Sequence, residues 1–174
     1  MLLEEFEDVA AVIEPTEKPV HDKGEVCETI ILSFNGEILE RLIESEEVYQ
    51  GGYLKNLNGQ FPWYVYNYDG NQVAVMTALI GAPSVIGQLE ELAARGFKNF
   101  IILGSCGVLD RSIEADKIIL PAAALRDEGT SYHYAPPGDE VAYDESLLVK
   151  LEAIFDKYDI EHIRTKSWTT DAFY

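Results

Sequence analysis

An apolar run at 99–103 (NFIIL) ends in Gly104, Ser105, Cys106 and Gly107. Glycines leave successive backbone N–H groups uncovered, and Ser105 adds a hydroxyl. Such a turn can cradle an anion, and the same four residues also make a plain tight turn. A second small-residue turn, Gly81-Ala82-Pro83-Ser84, follows the apolar run 73–79. Gly81 allows close backbone approach to a ligand, and Ser84 reads as the N-cap of the helix behind it. The third segment is 126–134 (RDEGTSYHY), polar yet rich in aromatics, a composition suited to binding or to covering an interface. It carries Glu128 and His133. The imidazole, with an ordinary pKa of about 6.5, can donate to a hydroxyl, although a lone loop histidine is more often structural or solvated. The candidate binding residues are therefore Gly81, Ser105, Cys106, Gly107, Glu128 and His133.

These groups need a frame, and the chain has the pattern of one. Residues 27–34 (CETIILSF) read as a strand broken by Asn35-Gly36, after which Ile38, Leu39, Leu42 and Ile43 take helical spacing. The Gly/Asn-rich stretch 48–60 reads as loop or irregular edge. Runs 63–68 and 73–79 flank Asp69-Gly70-Asn71, a hairpin signal. A helix over 84–95 has Val85, Ile86, Leu89, Leu92 and Ala93 on its apolar face and Gly96 as its stop. Lys117 to Leu120 (KIIL) is a short strand. Asp144 caps a helix to about 157 with a face of Leu147, Leu148, Leu151, Ile154 and Phe155, and 162–168 is a last strand. Strands alternating with helices, the central ones continuously apolar, predict a three-layer α/β/α sandwich with a mixed, mostly parallel sheet. In open sheets of this kind ligands bind at the C-terminal strand ends, where both small turns lie. No G-x-G-x-x-G opens a helix after a strand, which disfavours a dinucleotide fold.

Composition narrows the partners. In 174 residues, 47% are hydrophobic and 25% charged, ordinary for a globular domain with a real core. The net charge of −18 argues against nucleic acid and anionic membranes. It also disfavours an anionic substrate without a local basic pocket. The acidic lead-in over 1–26, with Pro15 and Pro19, reads as an arm, and 27–174 as the α/β domain. Cys27 and Cys106 read as free buried thiols of a reducing cytoplasm. No signal-peptide pattern is present, and no run approaches the ~20 apolar residues of a membrane span. His21, His133 and His162 are far apart and form no metal-ligand spacing, so no metal or cofactor is expected.

Taken in order, the two turns, the 127–134 loop and the terminal segment 168–174 (WTTDAFY) resemble the nucleoside phosphorylases, in their uridine/purine branch, over roughly residues 27–174. The resemblance implies that Gly81-Ala82-Pro83-Ser84 is the family's Gly-Gly-Pro-Ser turn and that Ser105 is its phosphate- and ribose-contacting hydroxyl. The loop would wall the nucleoside pocket, and Phe173 would stack on the base. It implies a nucleoside or nucleobase partner, phosphate as co-substrate, and a homo-oligomer, with a pocket built across a two-fold interface.

The chain also departs from that family. The family's Gly-Asp-Pro-x-Arg turn reads Ser33-Phe34-Asn35-Gly36-Glu37 here, and Ile102 stands where an arginine is expected. Lys55 is the basic residue in the region where the family lends an arginine to a neighbouring subunit. The family's Met-Glu ribose pair has no counterpart before Tyr174, so the chain reads as C-terminally truncated and inactive by itself. Two alternatives stay open: a nucleosidase, in which water replaces phosphate, and a non-catalytic nucleoside-binding or assembly module.

Overall fold

The computed structural model describes residues 6–17, 24–45, 47–114 and 117–172. They divide into two compact units. One is Ala10–Cys106, and the other is built mainly from the chain after it, Gly107–Tyr174.

The first unit is a five-stranded mixed sheet. Its strands are β1 (Thr29–Ser33), β2 (Val48–Asn56), β3 (Gly59–Tyr68), β4 (Asn71–Thr77) and β5 (Asn99–Leu103), in the order β2-β3-β4-β1-β5. β1 runs parallel to both β4 and β5, and β2, β3 and β4 form an antiparallel meander. β4 reaches β5 through helix α2 (Ala82–Arg95), passing over β1 to the far side. Such a parallel crossover needs a helix-length connection. Helix α1 (Gly36–Glu44) follows β1, with the Asn35 side chain accepting from the Glu37 N–H as its N-cap. The β3–β4 hairpin turns at Asp69 (φ 47°) and Gly70 (φ 78°), the paired positive φ that a two-residue hairpin turn demands.

The core of this unit is Ile30 and Leu32 of β1, Ala74 and Met76 of β4, Val65 of β3, Leu92 of α2, Phe97, and above all Trp63. The Trp63 indole is fully buried, sits edge-on to Phe97 with centroids 5.6 Å apart, and donates its Nε1–H to the Glu25 carbonyl at 2.9 Å. This ring explains a stretch that composition mislabels. Residues 48–60, expected as loop or irregular edge, are an edge strand with a register shift and the start of its hairpin partner. Gly51 and Gly52 are there for packing: a Cβ on Gly52 would lie 2.4 Å from Trp63 Cζ2, and one on Gly51 2.6 Å from Nε1. The ladder shifts register between Gln50 and Gly52, the local bulge that lets the indole lie across the strand.

The second unit is a three-stranded sheet, β7-β6-β8, from β6 (Ile118–Asp127), β7 (Glu140–Ala142) and β8 (His162–Thr170). β6 is parallel to β8 and antiparallel to β7. Helix α3 (Glu145–Lys157) starts at Asp144, whose carboxylate accepts from the Ser146 and Leu147 N–H groups as the sequence predicts. Its buried stripe is narrower than expected. Leu148 is fully buried, Leu151 and Phe155 are half-buried, and Leu147 and Ile154 are exposed. The fold class is α/β with mixed sheets, as the alternation of elements predicts. No helix among the described residues is long and apolar enough to cross a membrane.

Candidate functional site

The in-register pairing of β1 with β4 and β5 brings three parallel strands to one edge. Ser33 lies opposite Thr77 on one side and Leu103 on the other. The segments that leave this edge are Phe34-Asn35-Gly36 into α1, 78–81 into α2, and Gly104-Ser105-Cys106 after β5. Strand order reverses here, β1 feeding one side of the sheet and β4 the other. That is the position where open α/β sheets place ligands.

Gly81 stands at this edge, but for its own reason. Its φ is 96°, and a Cβ there would meet nothing within 4 Å. The glycine serves the turn's dihedral, and no other protein atom crowds the space its side chain would take. It is also the N-cap of α2, with no side-chain cap hydrogen bond. Ser84, expected as the cap, lies inside the first turn instead, because Pro83, preset for an early helical position, starts the helix sooner. Ser105 and Cys106 follow β5 and are exposed. Cys106 is thus a free exposed thiol, contrary to the buried one expected: the apolar run it follows is itself exposed at Ile101, Ile102 and Leu103. Cys27 is buried as expected, and burial pushes its thiol pKa up, with Glu25 adding to the effect.

One residue that holds this edge in shape escapes a polarity scan. Gln88 is 3% exposed on α2. Its Nε2 donates to the Thr77 carbonyl at 2.9 Å, and its Oε1 accepts from the Leu79 N–H at 3.0 Å. The amide replaces the backbone partners that β4 loses on leaving the sheet, and so fixes the approach to Gly81. The signal was a polar residue in register with Val85 and Leu92 on an apolar stripe. Beside it a cavity of about 200 Å³ is lined by Lys55, Phe61, Pro83, Ser84 and Gln88 among others.

Gly107, Glu128 and His133 belong to the other unit. There β6 runs as far as Asp127, and a short 3-10 turn, Thr130–His133, follows. The loop is held by Arg126. Its Nε donates to Ser131 Oγ at 2.8 Å and its Nη1 to the Pro136 carbonyl at 2.6 Å, and the guanidinium lies 4.0 Å from the centre of the Tyr132 ring. Glu128 accepts from the Ser131 N–H at 2.9 Å, so its carboxylate organises the loop. Asp171 accepts from the Gly129 N–H, and Asp127 from Trp168 Nε1. His133 is exposed at the end of the turn. Phe173 and His21 lie outside the described residues.

Several cations among the described residues are engaged. Arg41 pairs with Glu37, Arg164 with Glu145 and Glu152, and Arg95 lies 5.4 Å from the Trp63 ring. Among the described residues no group of three or more His, Cys, Asp or Glu is placed to hold a metal ion.

Comparison with known proteins fits this architecture. A family model described as the phosphorylase superfamily matches residues 28–174. A guanosine phosphorylase of Halorubrum lacusprofundi is 27% identical over 157 residues, covering 88% of this chain and 62% of that protein. A uridine phosphorylase of Thermococcus kodakarensis is 35% identical over 111 residues, covering 62% of this chain and 39% of that protein. The structure of purine nucleoside phosphorylase from Toxoplasma gondii, in complex with immucillin-H, matches with a TM-score of 0.73 at 23% identity, over 87% of this chain and 60% of that one. The chain spans less than two thirds of the length of each.

Proposed function

The chain belongs to the phosphorylase superfamily, and from that premise we propose that it binds a nucleoside or nucleobase at the C-terminal edge of its five-stranded sheet. It is nucleoside phosphorylase-like, and the reaction of the whole protein is cleavage of an N-glycosidic bond. In phosphorolysis a phosphate oxygen bonds to the anomeric carbon, the carbon–nitrogen bond breaks, and the base leaves with a proton on nitrogen. The observation that carries the binding proposal is the alignment of Ser33, Thr77 and Leu103 at one edge, with the Gly81 and Gly104 turns beyond it.

The same edge argues against phosphate turnover by this chain alone. A multiply charged nucleophile needs arginine or lysine clamps and free amide donors. Here the segment after β1 offers Asn35, already spent on capping α1, and Glu37, an acid in the first helical turn. This also favours a second reading, a nucleosidase. Water would bond to the anomeric carbon as the carbon–nitrogen bond breaks, its proton passing to the departing base, and no cationic clamp would be required. In the third reading, a non-catalytic module, the edge binds without turnover. Incubation with uridine, inosine and methylthioadenosine, with and without phosphate, separates the three. We expect no phosphate-dependent release of base. Phosphate-dependent release would establish phosphorolysis, and equal release in both arms would establish hydrolysis.

A further inference from the structure

The dipeptide Asn-Gly occurs at 35–36 and again at 58–59. The pair has a chemistry of its own. A glycine amide nitrogen, unshielded by any side chain, can attack the carboxamide carbon of the asparagine before it and close a five-membered imide. The fold places the two copies in opposite situations.

Asn35 is tied on every side. Its Oδ1 accepts from the Glu37 N–H at 3.0 Å as the cap of α1. Its N–H donates to Ser33 Oγ at 3.1 Å, and its carbonyl accepts from the same hydroxyl at 3.0 Å. Ser33 itself is buried. To reach the Gly36 nitrogen, the carboxamide must leave the helix cap and the peptide must turn against these bonds.

Asn58 sits in the two-residue turn, Leu57-Asn58, that joins β2 to β3. It is exposed, and its own N–H donates to Asn56 Oδ1 at 2.8 Å. Its carboxamide holds no hydrogen bond among the described residues. Around Gly59 no atom lies within 4 Å of where a Cβ would stand, so nothing crowds the approach. Gly59 pairs with Asn56 at the very end of the ladder, and ladder ends open most readily.

We propose that Asn58 is a deamidation site, and that folding directs this reaction to the hairpin tip and away from Asn35. The Gly59 nitrogen gives its proton to a solvent base and bonds to Asn58 Cγ. The Cγ–Nδ2 bond breaks, and ammonia leaves, taking up a proton. Water then opens the imide. Opening at Cγ leaves aspartate, and opening at the main-chain carbonyl leaves isoaspartate, which puts an extra carbon into the backbone of the turn. Either product exchanges a neutral amide for a carboxylate, and nothing is oxidised or reduced. The new charge stands three residues along the chain from Lys55, which lines the cavity beside Gln88.

The test uses the full chain in mildly alkaline buffer, one portion folded and one in concentrated urea. Samples taken over weeks are digested, and tandem mass spectrometry reads the mass gain of the two peptides. Mass is the readout because Asp69-Gly70 can form isoaspartate through the same imide with no change of mass. In urea both dipeptides should convert at similar rates. In the folded chain Asn58 should go on converting while Asn35 lags it by at least about tenfold, the rate cost of breaking its hydrogen bonds first. Asn58→Gln, which would need a larger ring, should abolish the gain in its peptide. Asn35 keeping pace with Asn58 in the folded chain overturns the protection. Asn58 unchanged in the folded chain, while the urea portion converts it, overturns the site. A gain that persists in Asn58→Gln assigns the reaction to a neighbouring amide and overturns the proposal, and failure of both dipeptides to convert even in urea removes its chemical basis.

Discussion

Gln88 concentrates the argument at the scale of single residues. A buried amide with both polar atoms bonded to backbone is costly to remove, because each orphaned partner loses its hydrogen bond without regaining water. Gln88→Ala leaves the Thr77 carbonyl and the Leu79 N–H unpaired, and should destabilise the first unit by about 2–4 kcal/mol, at ~1–3 kcal/mol for each unsatisfied group. Urea unfolding followed through Trp63 fluorescence measures it. Gln88→Glu gives a sharper test. A protonated carboxyl can donate to Thr77 and accept from Leu79, whereas a carboxylate can only accept. The stability of that variant should therefore be greatest in acid and fall as pH rises. An unchanged melting point across that range would remove the clamp from the account. The same scale explains why the candidate site was only half legible. The small turns stand out by their glycines, but what occupies them does not. Glu128 looks like a ligand group in a linear reading, and in the folded loop its carboxylate also accepts from the Ser131 N–H.

Elements were more legible than residues wherever a local rule decides them. The Asp69-Gly70 hairpin, the Asp144 cap and the Gly96 stop follow from dihedral preference and first-turn hydrogen bonding, which three or four neighbouring residues settle. β2 was illegible because its glycines answer to Trp63, a residue outside the strand. Gly52→Ala should therefore do far more than the small propensity cost of one side chain. The new Cβ must displace the indole or the strand, and overpacking of this kind costs about 1–3 kcal/mol or more. Gly59→Ala provides the contrast, since a Cβ there meets nothing within 4 Å and only its φ of 135° is strained. Helix α3 carries a pH signature. The hydroxyl of Ser146, with the Leu147 and Ser146 amides, holds the Asp144 carboxyl below its ordinary pKa, and Arg164 does the same for Glu145. Groups with depressed folded-state values stabilise above the usual carboxylate range and lose that contribution as pH falls through the folded value. Thermal melting of the chain should weaken below about pH 4, and Asp144→Asn, which keeps the acceptor without the charge, should flatten that decline. An identical acid profile in the variant would deny Asp144 that role.

At the scale of the whole molecule, catalysis and assembly are the open quantities. The turn after β1 carries Asn35 and Glu37 where a phosphate clamp would be expected, and losing one such contact typically costs about 2–4 kcal/mol in the transition state. Phosphorolysis of uridine or inosine by this chain should therefore stay at background in a coupled assay, and a rate like that of an intact enzyme would refute this. The exposed apolar side chains at the strand ends also lead us to expect an oligomer, most simply a dimer. Light scattering reporting a clean monomer at micromolar concentration would count against it. β5 adds a consequence of another kind. It closes one end of the sheet order, and Ile101 and Ile102 along it are each 46% exposed. Within its own sheet β5 has a neighbour on one side only, and a strand end of this kind invites pairing with another strand. The chain's −18 charge opposes that encounter only across the distance over which charge is felt. That distance is about 10 Å in 0.1 M salt and about 3 Å in 1 M salt, shorter than the ~4.8 Å between paired strands. Concentrated electrolyte should thus turn a clear solution of this protein turbid, and dilution of the salt should be the gentlest way to keep it in storage.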